Sequence, residues 1–447
     1  MKHPTPPERP RRPEQLDLLP WMAKWLVLAG LVGALAGTAS ALFLFALEWA
    51  TATRVARPWL IALLPLAGFA VGWIYLKLGR DVEAGNNLLI DEIHDPKKVI
   101  PLRMAPLVLG GTVLSHLFGA SVGREGTAVQ MGGALADQLT HLFRLRHEDR
   151  RIILMAGISA GFASVFGTPL AGAIFGLEVL AIGRLRYDAL LACLAAAIAG
   201  DQVCLLWGVA HTHYAIAGVP ALAPWPLLAV VIAGAAFGLA GKLFADCTHA
   251  LGGWMKRRVP YGPLRPLLGG IVVAAAWWLG SAAGLDTDRY LGLGIPTIQA
   301  AFIHPLPTGD FAGKMAFTIA SLGSGFKGGE VTPLFYIGAT LGNALAPLLH
   351  LPFPLLAGIG FVAVFAGAAN TPIASSLMAI ELFGADIGVY AAIACVVSYL
   401  FSGHTGIYRS QRIGQSKHGA AHQRAPEGLR LGELEAHRLR QSEQQSD

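Results

Sequence analysis

The sequence has 447 residues, of which 54% are hydrophobic and only 14% are charged. Soluble domains usually carry about a quarter charged residues, so this composition excludes an ordinary soluble protein and indicates a polytopic membrane protein. The formal net charge of +6 comes largely from basic residues near the ends, and anionic membrane lipid accounts for them without a nucleic-acid partner.

The chain begins with a proline-rich tail, residues 1–20, followed by a long apolar segment at 25–47. The segment is too long for a secretory signal and lacks a small-residue cleavage site, so we expect a retained transmembrane helix. Basic residues precede it, and others follow the last apolar stretch, which predicts that both termini are cytoplasmic and that the number of crossings is even. The N-terminal ones are Lys2, Arg9, Arg11, Arg12 and Lys24.

Two kinds of apolar window follow along the chain. Some are nearly free of charge and approach the length that spans a bilayer, namely 58–75, 227–240 and 266–285. Others are broken by glycine or proline, namely 123–133, 160–169, 323–333 and 367–372. Irregular backbone at membrane depth persists only where protein buries it or where it lines a polar cavity, so the broken windows predict a transport pathway.

The sequence contains an internal repeat. A shift of 203 residues places 162–171 on 365–374 and Glu178 on Glu381, and a shift of 205 places 123–127 on 328–332. Shared composition is an alternative explanation, but both motifs recur in the same order. We therefore predict a membrane domain at 21–414 with repeat halves at about 57–206 and 260–413, followed by a polar tail at 415–447.

The first repeated motif is the run Gly-Arg-Glu-Gly-Thr at 123–127. Glycines let backbone N–H groups face a ligand, and the helix that follows directs its positive end at an anion. Glu125 can imitate that anion when it is charged and leave the site when it is protonated, so it is a candidate gate and proton carrier. The alternative is a structural glutamate paired with Arg124.

The second motif, at 328–333, carries Glu330 at the start of another helix, with Pro333 suited to the first turn. Two carboxylates directed at one centre raise each other's proton affinity, so the pair could pass a proton beside an anion. In the alternative interpretation, Glu330 only caps its own helix.

Four other features do not point to transport chemistry. Glu178 and Glu381 lie in equivalent places after Thr-Pro turns, and we expect them to bond exposed backbone. The run 157–161 fits the hydrolase pattern G-x-S-x-G around Ser159, but no strand precedes it, so packing of small residues between helices is preferred. His418 and His422 lie in a polar tail without a zinc motif, and the four cysteines are widely spaced, so no metal or cofactor is predicted.

These residues resemble the CLC family of chloride channels and proton-coupled antiporters, over about 25–412. Residues 123–126 resemble its G-R-E-G-P motif, 328–333 its G-G-x-F-x-P motif, and Tyr408 its anion-site tyrosine. The resemblance implies an all-α inverted repeat whose broken helices meet at mid-membrane. It also implies a homodimer with one pathway per subunit, in the bacterial inner membrane, and Glu125 as the external gate.

The departures from the family pattern resemble its fluoride-exporting branch. The family's G-S-G-I-P becomes Gly-Asn-Asn-Leu-Leu at 85–89, threonine 127 replaces a proline, and Val179 stands where chloride antiporters carry an internal glutamate. Glu330 is an additional acid. The expected function is therefore fluoride/proton antiport, with Glu125 as gate and Glu330 as second coupling glutamate.

The predicted anion-binding residues are Asn86, Asn87, Gly126, Thr127, Val331, Thr332 and Tyr408. The expected partners are fluoride, protons and membrane lipid, with chloride as a further anion. Two alternatives remain: a chloride/proton antiporter or chloride channel of the same family, and a membrane-embedded hydrolase, although we expect the protein not to be an enzyme.

Overall fold

A computed structural model describes residues 14–212, 214, 216, 218–417, 427–434, 436 and 437. The predicted all-α architecture is confirmed: the described residues form sixteen α-helices and a single pair of two-residue strands. Six helical stretches in this part of the chain are long and apolar enough to cross a membrane, and five further apolar helices are shorter. Three of the long predicted windows fall within such helices, and the window 266–285 extends three residues beyond the end of Leu264–Ala282.

The first half of the fold contains eight helices. A 3-10 turn at Pro58–Leu63 precedes the second of these helices. They are α1 (Glu14–Ala56), α2 (Leu64–Leu78), α3 (Asn86–His94), α4 (Met104–Phe118), α5 (Glu125–Leu142), α6 (His147–Phe166), α7 (Pro169–Glu178) and α8 (Leu190–Leu206).

The second half repeats this order. Its helices are α9 (Pro224–Arg258), α10 (Leu264–Ala282), α11 (Ile295–Ala301), α12 (Asp310–Ser324), α13 (Val331–Leu349), α14 (Phe353–Ala369), α15 (Pro372–Phe383) and α16 (Gly388–Phe401). Each half opens with a long helix that packs on the last helix of the same half, α1 on α8 and α9 on α16. The predicted halves leave α1 and α9 out, and we propose that the repeat includes them.

The repeated Thr-Pro runs end one helix and begin the next. Gly167 closes α6 at φ +71° and Asn370 closes α14 at φ +59°, both in the left-handed region that favours these two residue types. Proline then occupies the first position of α7 and of α15, where no intrahelical N–H is needed. The repeat in the sequence is therefore a repeated helix break.

Close helix packing depends on small residues. A side chain at Gly132 of α5 would place Cβ 2.3 Å from the Gly157 carbonyl oxygen of α6. Ser159 is fully buried, and a Cβ at Gly176 of α7 would lie 2.1 Å from its hydroxyl. The interpretation of 157–161 as a packing motif is confirmed, because these glycines let three helices approach within backbone contact.

Two glutamates each accept hydrogen bonds from the opposite half of the fold. Glu178, at the end of α7, accepts hydrogen bonds from the N–H groups of Ile373 (3.0 Å) and Ala374 (2.8 Å) at the start of α15. Glu381 of α15 accepts from Leu170 and Ala171 at the start of α7, both at 2.8 Å. The predicted structural role is confirmed: each glutamate satisfies the free N–H groups that begin its partner helix.

The residues that follow α7 and α16 lie side by side. Strand β1 (Ala181–Ile182) pairs in parallel with β2 (Arg412–Ile413). Leu431 and Leu434 of the C-terminal tail pack with Ile182 and Ile413 in one small apolar cluster. Part of the predicted polar tail is therefore fixed to the membrane domain beside the loop that carries Tyr408.

Candidate anion and proton site

The two repeated glycine motifs contact each other directly. Gly123 N–H donates to the Gly329 carbonyl at 2.6 Å, and Gly329 N–H donates back to Gly123 at 2.8 Å. A side chain at Gly329 would place Cβ 2.7 Å from the backbone nitrogen of Gly126, which is closer than real Cβ contacts. Glycine is required here because the backbones of the two halves meet without space between them.

Glu125 is the first residue of α5 and is fully buried. Its carboxylate accepts hydrogen bonds from the backbone N–H of Thr332 at 3.0 Å, from the Thr332 hydroxyl, and from the N–H of Arg124 at 3.1 Å. Thr332 lies in the first turn of α13, a position where helix N–H groups and the helix dipole favour negative charge. The carboxylate of one half therefore occupies the anion-favouring end of a helix from the other half.

The alternative pairing with Arg124 is also present, at longer range. Arg124 Nε lies 3.5 Å from Glu125 Oε1 but has no hydrogen-bond partner among the described residues. The two neighbours can face each other because Arg124 precedes α5 instead of lying within it. The ion pair adds to the three hydrogen bonds and does not replace them.

Glu330 precedes α13, as Glu125 opens α5. Within the described part of the chain its side chain makes no capping bond at the start of α13, so the helix-cap alternative has no support. A Cβ placed on Gly126 would lie 3.8 Å from Glu330 Oε2 and 3.1 Å from Asn86 Nδ2. A carboxylate and an amide thus converge over the backbone of Gly126.

The structure separates Asn86 from Asn87. Asn86 begins α3, and its buried Oδ1 has no hydrogen-bond partner among the described residues. Asn87 Oδ1 accepts from the backbone N–H of Ser410 at 2.9 Å. Of the two predicted asparagines, Asn86 faces the glutamate motifs and Asn87 holds the loop that carries Tyr408.

Tyr408 lies in that loop with only 4% of its surface exposed. Its ring meets Phe175 edge-on, with 6.4 Å between centroids. The loop is held further by Ser410, whose hydroxyl donates to Asp91 of α3 at 2.9 Å. These contacts attach the Tyr408 loop to α3, next to Asn86, although local sequence features alone did not select Tyr408.

The other residues singled out in the sequence have different contacts. Thr127 forms a 2.7 Å hydroxyl–hydroxyl hydrogen bond with Thr112, so its side chain joins α5 to α4. Gly126 and Val331 are buried in the first turns of α5 and α13, where their backbone N–H groups belong to the helix ends. Val179 is buried at the end of α7.

A small cavity adjoins Glu125 and has a volume of about 20 Å³, room for a water-sized particle. Its lining includes the polar residues Arg124, Thr332 and Tyr214 and the apolar residues Phe335 and Ile298. The centre is thus small and largely apolar around a few hydrogen-bond donors, an arrangement that strengthens electrostatic interactions within it.

Sequence reasoning missed the residues that position α3. Glu92 accepts from Arg150 at 2.9 Å, and the same arginine donates to Asp137 of α5 at 2.8 Å, all three side chains being nearly buried. Charges within apolar helices were the available signal, but their partners lie on separate helices. Among the described residues, no three His, Cys, Asp or Glu side chains come together as metal ligands.

The fold and the centre define an integral membrane protein of two inverted halves, with the buried Glu125 and the partly buried Glu330 where the halves meet. Residues 67–403 match the protein family described as voltage gated chloride channel. The chain belongs to this family, the CLC family.

Individual relatives and solved structures agree with this assignment. The chain is 68% identical to the "Chloride/fluoride channel protein" of Pseudomonas syringae pv. tomato, over 95% of this chain and 93% of that protein. It is 28% identical to the H(+)/Cl(-) exchange transporter ClcA of Vibrio vulnificus, over 80% and 81% of the two chains. The crystal structure of a CLC-type fluoride/proton antiporter shares 36% identity and a TM-score of 0.83, over 87% and 98%.

Proposed function

We propose that this protein exports cytoplasmic fluoride in exchange for protons. The observation that carries the proposal is the position of the Glu125 carboxylate on the Thr332 N–H and hydroxyl, with Glu330 and Asn86 converging beside it over Gly126. An acid that occupies an anion site can leave when protonated and give its place to the anion. Anion and proton then use the same residues in turn.

The donors at this centre suit fluoride. Fluoride is small, strongly hydrated and a strong hydrogen-bond acceptor, so its dehydration must be offset by good donors. The Asn86 amide, the Thr332 hydroxyl, the Tyr408 phenol and the N–H groups of Gly126 and Val331 are the donors that we assign to it. We assign indirect roles to the Asn87 amide, which holds the Tyr408 loop, and to Thr127, which holds α5.

The proton route requires an acid on the cytoplasmic side of Glu125. Val179 cannot supply one, whereas Glu330 lies beside Gly126, next in sequence to Glu125. We assign proton transfer to the pair, because two carboxylates in a dry setting favour sharing a proton over both being ionised.

The relatives support fluoride and leave the mode of transport to experiment. The structural neighbour with 36% identity is a fluoride/proton antiporter, whereas the relative with 68% identity is named a chloride/fluoride channel protein. The second candidate function is therefore a channel, or an exchanger, that also accepts chloride. Closure of the centre by Glu125 favours the coupled exchanger over an open pore.

Paired flux measurements in liposomes test the proposal. Purified protein in vesicles loaded with fluoride should release fluoride while protons enter, and a fluoride gradient should drive protons uphill. Vesicles loaded with chloride should show little release. Fluoride release without proton movement would indicate a channel, and equal chloride release would refute fluoride selectivity.

The proposal also covers the location of the protein in the membrane and its oligomeric state. We place the membrane domain at 21–414 in the bacterial inner membrane, with both termini cytoplasmic, and the chain in a lipid-embedded homodimer with one pathway per subunit. Chemical cross-linking in native membranes should trap a species of twice the monomer mass. A monomer at all cross-linker concentrations would contradict the assembly without affecting the assignment of the site.

A further inference from the structure

One segment of the C-terminal tail, residues 427–434, runs antiparallel to the stretch of chain that follows Tyr408. The backbones of this tail segment and of that stretch exchange hydrogen bonds at alternate residues. In three of these bonds an N–H donates to a carbonyl: Leu431 to Gln411 at 2.8 Å, Gly432 to Arg409 at 2.9 Å and Ile413 to Leu429 at 2.9 Å. The tail segment therefore holds the backbone that leads out of the Tyr408 loop.

The side chain of Arg430 connects the tail segment to α3. Its Nη2 lies 3.1 Å from Asp91 Oδ1, and its Nη1 lies at longer range, 3.9 Å, from Glu433. The other carboxylate oxygen of Asp91, Oδ2, accepts the hydrogen bond from the Ser410 hydroxyl at 2.9 Å. Because the guanidinium holds one oxygen, the second oxygen stays directed at Ser410. One carboxylate thus joins the tail segment and the Tyr408 loop to the same helix.

Ser410 passes this contact on to residues of the proposed fluoride site. It lies two residues after Tyr408, and its backbone N–H donates to Asn87 Oδ1 at 2.9 Å. Asn87 is next in sequence to Asn86, which begins α3. The position of Ser410 therefore fixes the spacing between the Tyr408 loop and the start of α3, two elements that carry donors assigned to fluoride. Arg430 acts on that spacing through Asp91 and Ser410.

Attachment of the tail explains the apolar part of this interface but not the ion pair. Leu431 and Leu434 already fix the tail segment in the small apolar cluster between the two strands. That attachment gives no reason for a positive charge on a carboxylate that is bonded to Ser410. The Asp91 side chain is 31% exposed, so water could satisfy it if orientation were unimportant.

The ion pair also neutralises a charge that would oppose an anion. Asp91 lies four residues after Asn87, so the two side chains lie on the same face of α3, one turn apart. Without Arg430, the carboxylate would be a net negative charge one turn from the start of the helix. Loss of the pair should thus weaken anion binding both by loosening the donors and by repulsion.

We propose that Arg430 is a positioning residue for fluoride. By holding Asp91, and through it Ser410, the arginine sets how closely the Tyr408 loop approaches the start of α3. A small anion needs closely held donors, whereas a looser site suits a larger anion, so Arg430 determines both affinity and selectivity. The inference rests on the proposed transport of fluoride and adds a determinant that lies outside the two repeated halves.

The test measures initial release from liposomes over a range of internal fluoride concentrations. Arg430→Gln should raise the KM for fluoride about threefold to fivefold and lower the ratio of fluoride to chloride release by a similar factor, since a partly exposed ion pair is lost. The kcat should stay within twofold. Arg430→Lys keeps the charge and should keep the KM within twofold of wild type. A role limited to attaching the tail would lower the melting temperature or kcat and leave the KM unchanged.

A double-variant comparison tests the route through Asp91. Asp91→Asn leaves an acceptor for Ser410 but removes the ion pair with Arg430. Because the contact is then already broken, adding Arg430→Gln to Asp91→Asn should change the KM less than twofold. A further threefold to fivefold rise in the double variant would show that Arg430 does not act through Asp91, and the proposal would be wrong.

Glu427→Gln provides the matched control within the same tail segment. Glu427 forms an exposed ion pair with Arg184 at 2.8 Å, so this variant also removes one ion pair of the tail, and it should change neither the KM nor the selectivity. A wild type that moves no fluoride would overturn the proposed function and this inference with it. A wild type that moves fluoride, combined with an Arg430→Gln variant that matches the Glu427→Gln control, would overturn the role of Arg430 alone.

Discussion

Two pairs of glutamates join the halves of this protein, and they differ in symmetry. Glu178 and Glu381 make the same contact in both directions, each holding two N–H groups of its partner helix. At the centre, Glu125 bonds to Thr332, but the equivalent threonine 127 bonds to Thr112 instead of to Glu330. The repeat is retained in the contacts that hold the fold and is broken at the proposed anion and proton site.

The largest expected effect comes from removing the charge of Glu125, the proposed gate. Glu125→Gln keeps the shape of the side chain but cannot release a proton, so proton flux driven by fluoride should fall about a hundredfold or more. Proton uptake by fluoride-loaded liposomes measures it, with melting temperature as the control for folding. Undiminished coupling in this variant would show that the asymmetry of the centre has no functional meaning.

Glu330→Gln should weaken coupled exchange about tenfold to a hundredfold, because we propose that this second acid supplies protons to Glu125. The ratio of protons to fluoride measures this effect separately from the rate. If the two variants gave identical losses at every pH from 5 to 8, the distinction between gate and supplier would be wrong.

A smaller contrast should separate the two threonines. Thr332→Val removes a hydrogen bond to the buried Glu125 carboxylate. The fraction of protein with Glu125 bound at α13 should shift by about tenfold, and the proton-to-fluoride ratio should fall. Thr127→Val removes only the contact with Thr112 and should lower the melting temperature without changing the ratio. Equal effects of the two variants on the ratio would show that Thr127 and Thr332 are functionally equivalent, contrary to this prediction.

The smallest effect on transport should come from the symmetric pair. Glu178→Gln weakens the bonds to the start of α15 and should reduce the free energy of unfolding by about 1 kcal/mol, a typical helix-cap loss. Glu381→Gln should cost less, because its contacts lie nearer the surface. Thermal denaturation in detergent compares them, and the proton-to-fluoride ratio of the folded protein should remain at the wild-type value.

Much of this organisation can be predicted from the sequence. The repeat, the broken helices and the two glutamate motifs follow from glycine, proline and charge placed in apolar surroundings, because few backbone conformations tolerate those residues there. The same logic correctly assigned Glu178 and Glu381 to exposed backbone. Tyr408 required the family resemblance, since a single tyrosine near the end of a membrane domain has no distinctive local pattern.

Other features depend on contacts between distant segments. Asn86 and Asn87 are adjacent and identical in chemistry, and only the approach of Ser410 distinguishes them. Asp91 and Arg430 lie near opposite ends of the chain, and neither alone gives a sign that they pair. The proposed inclusion of α1 and α9 in the repeat could not be predicted either, because long uniform apolar helices carry little positional information.

The glutamate contacts between the halves also affect how the chain can fold during synthesis. The N–H groups of Leu170 and Ala171 receive their acceptor from Glu381, which is made 210 or more residues later. In a bilayer these donors cannot turn to bulk water, so the first half cannot complete its fold while it is alone. We expect the nascent first half to remain loosely packed, or held by the insertion machinery, until the second half arrives and both helix starts are satisfied together.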